Sequence, residues 1–103
     1  MQPRNRRVVC KDGYSISIQA HRGAYCEPRQ DNAESYSLVE LGYPSQSDSL
    51  IDHLAEIPSN DPTDSVYGYV PVNTVYLLLT KHQGVVSGDV PKGVPYFAGS
   101  HGD

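Results

Sequence analysis

The residues of this chain best equipped for covalent or metal chemistry are two cysteines, Cys10 and Cys26, and four histidines, His21, His53, His82 and His101. A cysteine nucleophile needs a base beside it and an acid to orient that base. Cys26 with His21 or His82 is the arrangement that can be drawn. No Gly-x-Ser-x-Gly elbow and no caspase-like cysteine context accompanies it. The spacing Cys10-x10-His21-x4-Cys26 lacks the close cysteine pair of zinc modules, so no metal site is expected. Glycine-rich phosphate cradles are missing as well, and no cofactor is expected. His82 falls on the apolar face of a helix near its end, where a histidine is expected to be hydrogen-bonded in the core or to stabilise the helix terminus.

Charge and aromatic content point elsewhere. The net charge is −4, but residues 1–30 carry a balance of +4, residues 31–64 one of −8, and residues 65–103 none. A dominant basic patch is needed for phosphate-backbone binding, so nucleic acid is not an expected partner. An uneven surface of this kind can steer a charged protein partner. Eight tyrosines stand against one phenylalanine and no tryptophan. Tyrosine joins a large apolar face to a polar tip and serves small cores and interfaces alike. The basic arm Arg4, Arg6 and Arg7, the strand tyrosines Tyr67 and Tyr69, the outward helix residue Leu77, and the tail aromatics Tyr96 and Phe97 are the expected partner-binding groups.

Turn residues and apolar periodicity outline the surrounding scaffold. The chain's 103 residues suffice for one domain. Asp12-Gly13 predicts a two-residue type I′ turn, pairing Arg7–Lys11 with Tyr14–Ala20 and setting Val9 opposite Ile16 and Cys10 opposite Ser15. Arg22-Gly23 predicts a second tight turn and a third strand over Ala24–Glu27, a meander. In it Cys10 and Cys26 share a face two strands apart, beyond disulfide reach, so two free thiols are expected. Tyr36–Tyr43 and Val66–Val70 read as further strands, the latter with Tyr67 and Tyr69 on one side. Asp48 or its neighbour can cap a short helix over about 48–56, with Leu50, Ile51 and Leu54 inward and Pro58 as its stop. Pro71 suits the first position of the main helix, about 71–83, ended by Gly84 in a left-handed conformation.

The predicted fold is α+β: a small antiparallel sheet, the meander plus one or two further strands, with the main helix packed on it and the short helix at an edge. Residues 1–7 form a basic arm, 8–87 the domain, and 88–103 a Gly/Pro-rich extended tail. No run approaches the ~18 apolar residues of a membrane span, and the basic start has no apolar stretch behind it, so neither membrane insertion nor signal-peptide secretion is expected.

The segments Val9–Ala20, Tyr25–Arg29, Val66–Val72 and Lys81–Gly84 together resemble short uncharacterised proteins of tailed phages and prophages, over about half of the chain. The resemblance implies a phage-associated protein, in the infected or lysogenic bacterial cell or in the virion, and carries no catalytic motif. The expected function is therefore non-enzymatic protein binding or self-association by an accessory protein: decoration of a virion, or inhibition of a host factor such as a defence system. The alternative is a small enzyme or small-ligand binder built on Cys26, His21 and His82.

Overall fold

The computed structural model describes residues 2–56 and 61–99. Five strands form one antiparallel sheet: β1 (Val8–Cys10), β2 (Ser15–Gln19), β3 (Leu38–Gly42), β4 (Val66–Pro71) and β5 (Val85–Ser87), in the order β4-β3-β2-β1-β5. Among the described residues one helix, α1 (Val72–Lys81), links the two edge strands, and single 3₁₀ turns occupy Asp52–Leu54 and Pro62–Asp64. The α+β class expected from the sequence is the class observed. No helix among the described residues is long and apolar enough to cross a membrane.

The first hairpin forms where Asp-Gly predicts it, with one residue more in its loop. The Gly13 N–H donates to the Cys10 carbonyl at 3.0 Å, and the Cys10 N–H to the Tyr14 carbonyl at 2.8 Å. Gly13 takes the left-handed conformation, φ +96°. This is a three-residue loop with a glycine bulge, and it slides the register by one place. Val8 now faces Ile16, and Val9 faces Ser15. A one-residue slip exchanges the two faces of a strand. Val8 and Cys10, not Val9, therefore join Tyr14, Ile16 and Ile18 in the core.

The third strand of the meander is not Ala24–Glu27. That segment turns on local bonds, Ala24 N–H to the His21 carbonyl and Cys26 N–H to the Ala24 carbonyl, and meets the sheet only at the Glu27–Leu38 bridge and through the Tyr25 carbonyl on β4. β3 takes the place beside β2, pairing Ile18 with Leu41 and Gln19 with Glu40. It brings Val39 and Leu41 to the buried face, more apolar area than Ala24 and Cys26 offer.

β4 holds the second departure. Val39 pairs with Val70 and Leu41 with Tyr67, so three steps on β4 match two on β3. The extra residue is a bulge. Tyr69 absorbs it at φ +53° and turns outward. Tyr67 and Tyr69, expected on one side, are thereby separated: Tyr67 is fully buried, its hydroxyl donating to the Pro62 carbonyl at 2.6 Å.

Pro71 precedes α1 and does not begin it, and the helix ends at Lys81, short of the expected 83. Val75, Leu78 and Leu79 point into the core, Leu77 outward as the 3.6-residue period requires, and Tyr76 is exposed. Gly84, at φ +90°, lies where an added Cβ would come within 2.9 Å of the Phe97 carbonyl. The helix expected over 48–56 shrinks to its cap and the 3₁₀ turn: Asp48 accepts from Leu50 N–H at 2.9 Å, but Ala55 returns to extended backbone and bridges Tyr67. Ile51 is buried and Leu50 and Leu54 partly so, as expected; Pro58 lies outside the described residues.

Both sheet edges are covered. Along β4, Glu56 N–H donates to the Val66 carbonyl, and Tyr69 N–H to the Tyr25 carbonyl. Along β5, Val85 N–H donates to the Phe97 carbonyl and Gly99 N–H to the Val85 carbonyl. Residues 2–7 are laid on the sheet likewise: Gln2 Nε2 bonds the Ala20 carbonyl, and Asn5 and Gln19 exchange side-chain-to-backbone bonds of 2.9 Å. Strand addition by a partner has little open backbone to use here.

Candidate functional site

Two polar-aromatic clusters stand out, one inside and one outside. The inner cluster centres on His82, which follows α1. Its Nδ1 lies 2.7 Å from Asp12 of the hairpin loop and its Nε2 lies 2.8 Å from Asp48. The ring stacks on Tyr14 at 3.8 Å and 7°. Lys81 Nζ reaches the other oxygen of Asp48 at 3.1 Å. His82 is 4% exposed and the Asp48 side chain 2%. Both ring nitrogens are thus occupied by carboxylate partners within the fold.

The carboxyls register the arrangement. Burial pushes Asp48 up, but the Leu50 N–H, His82 and Lys81 outweigh it and hold the group below its ordinary value. Asp12 is also held low: burial opposes, and the Tyr14 N–H and His82 prevail. The neighbouring Cys10 thiol is pushed up to about 11, by burial first and Asp12 second. Burial raises the Tyr14 hydroxyl too, and it has no hydrogen-bond partner among the described residues.

The alternative catalytic set does not assemble. Cys26 is buried, its Sγ lies 3.3 Å from the carbonyls of His21 and Pro28, and burial raises its pKa. A reactive thiol needs the opposite shift. His21 touches Cys26 through its backbone, while its ring nitrogen Nδ1 accepts from Gly23 N–H at 3.0 Å. His82 is held by the aspartates. Cys10 and Cys26 are free thiols. Among the described residues no group of three or more His, Cys, Asp or Glu is placed to hold a metal ion; His101 lies outside them.

The outer cluster is aromatic. Tyr69, 43% exposed on the β4 bulge, stacks against exposed Tyr25 with centroids 5.9 Å apart, and the Arg29 guanidinium sits 5.7 Å from the Tyr25 ring centre. The backbone locks the pair: Tyr25 N–H donates to Glu40 Oε1 at 3.1 Å, and its carbonyl accepts from Tyr69 N–H at 2.9 Å. Gly68 permits this approach, since a Cβ there would meet Tyr25 Cβ at 3.0 Å. A left-handed conformation costs a non-glycine residue about 1–2 kcal/mol, and here it turns an aromatic ring outward.

The remaining expected binding residues divide. Leu77, Tyr96 and Phe97 are exposed, the last two on a tail whose backbone is tied to β5. Arg7 is a bracket: its guanidinium donates to Ser15 and, at 2.6 Å, to the Tyr43 carbonyl. Arg6 is paired with Asp89 at 3.1 Å. Arg4 is exposed, with no ion-pair or hydrogen-bond partner among the described residues. Tyr25 and Arg29 were not among the expected site residues. The readable signal was Gly68 inside a strand, which marks a bulge or a close approach. For the Asp12–His82–Asp48 cluster no local signal exists, because its members are 70 and 34 positions apart. No protein-family model, curated protein or solved structure matches this chain.

Proposed function

We propose that this protein is a non-enzymatic protein-binding module, a phage-type accessory protein that decorates a virion or inhibits a host factor, and that it grips its partner through Tyr25, Tyr69 and Arg29. The observation that carries this reading is Tyr69: a bulky residue at φ +53° with its ring exposed against a second tyrosine. Backbone strain of this kind concentrates at functional sites. Tyrosine and arginine dominate the energetics of protein interfaces. Rings already stacked and tied down lose little freedom on binding. The covered sheet edges leave side chains as the means of recognition.

The test is co-purification from phage-infected or lysogenic cells, with the wild type beside a Tyr25→Ala/Tyr69→Ala double variant of matched circular dichroism. The expected result is one stoichiometric partner, or a second copy of this chain, held at least about tenfold more weakly by the variant. Undiminished capture by the variant, or recovery of the wild type as a lone monomer, would overturn the reading.

A further inference from the structure

The turn after β2 and the first described residues flank a half-open cavity of about 390 Å³ lined by Gln2, Arg4, His21, Arg22, Gly23 and Asp31. Its walls are fixed by backbone bonds. Asp31 accepts from Arg22 N–H at 3.1 Å and Gln2 N–H at 3.3 Å, so its carboxylate is already engaged and is held below its ordinary pKa by those contacts, the Arg22 N–H foremost. The guanidinium groups of Arg4 and Arg22 have no hydrogen-bond or ion-pair partner among the described residues. The lining thus carries two guanidinium charges against one carboxylate.

His21 also lines the cavity, with its ring Nδ1 held by the Gly23 N–H at 3.0 Å. Guanidinium groups bind phosphate and carboxylate oxygens in paired, charge-assisted hydrogen bonds. The volume falls near the lower end of the range of small-molecule sites, roughly 300–1,000 Å³.

We infer that this cavity is a binding site for the oxyanion of a small phosphorylated or carboxylated molecule, with Arg4 and Arg22 clamping the anion. The site is separate from the tyrosine surface and does not depend on it.

The experiment is a titration of the ¹⁵N-labelled protein at constant ionic strength with inorganic phosphate, a nucleoside monophosphate and citrate in turn, followed by amide NMR shifts. Saturable movement of the Gln2, Arg22, Gly23 and Asp31 signals is expected with at least one of the three. In an Arg4→Ala/Arg22→Ala variant the affinity should fall at least about tenfold, with signals elsewhere unmoved, since both side chains are exposed and unpaired. Saturation by phosphate alone, by the nucleotide alone or by citrate alone identifies the source of the oxyanion, and each supports the site. Shifts that never saturate, that centre on Arg6, Arg7 or Arg29, or that survive in the variant overturn it.

Discussion

Tyrosine stacks twice in this molecule, to opposite ends. Tyr14 lies flat on His82 in the interior, in a cluster whose ring nitrogens and carboxylates are all engaged. Tyr25 leans on Tyr69 at the surface, where backbone strain is accepted and both rings stay exposed. The first arrangement joins three elements distant in sequence: the hairpin loop, the turn at Asp48 and the end of α1. The second sacrifices some stability to present a shape. A histidine between two aspartates invites a catalytic reading, yet the engagement of both ring nitrogens argues for structure, whereas the tyrosine pair is the one left exposed.

The largest expected effect lies in the interior. His82→Ala removes the Asp48 partner on Oδ2 and the ring stacked on Tyr14 but leaves Lys81 and the Leu50 N–H on that carboxylate, and should cost about 2–3 kcal/mol in urea unfolding. Asp12→Ala should cost visibly less, because Asp12 keeps 30% of its side chain in water. Equal costs for the two, or a His82→Ala cost below about 1 kcal/mol, would mean the cluster does not bind the elements together.

Acid should act on the same cluster. The Asp12 and Asp48 carboxyls lie below their ordinary 3.8 in the folded protein. The unfolded chain therefore takes up protons first as pH falls. Stability from the cluster is complete above the ordinary value and drains away as pH drops through the lowered folded values, over roughly pH 5 to 2. Urea midpoints across that range should fall more steeply for the wild type than for Asp48→Asn. Parallel curves would sink the assignment.

The smallest effect belongs to the surface. Glycine at position 69 relieves the left-handed strain that alanine retains, so Tyr69→Gly should be more stable than Tyr69→Ala by about 1 kcal/mol. Both variants lose the ring, and both should lose partner binding alike. A stability order with alanine above glycine would show that the bulge is not strained.

Much of the fold was legible because its signals are local. Asp12-Gly13 marked the hairpin, Leu77 was placed on the outer face of α1, and Gly84 marked its end. The errors share one cause. Loop length at Gly13, strand choice between Ala24–Glu27 and β3, and the β4 bulge are decided by which pairing buries more apolar surface across the sheet. The short helix over 48–56 failed for a similar reason: Asp48 caps its turn but is drawn inward to His82, and Ala55 is taken by the β4 edge.

The site divides along the same line. Residue identity alone established that tyrosines abound, that charge is segregated along the chain, that no Gly-x-x-x-x-Gly-Lys motif or close cysteine pair occurs in it, and that an antiparallel α+β domain is the economical arrangement. Periodicity and turn chemistry act over a few residues, so one sequence suffices to read them. Burial of Tyr67, exposure of Tyr69 beside Tyr25 and Arg29, and the enclosure of His82 by Asp12 and Asp48 were settled only by tertiary structure. Those outcomes depend on register and long-range contact, where a shift of one position reverses which side of a strand meets the core.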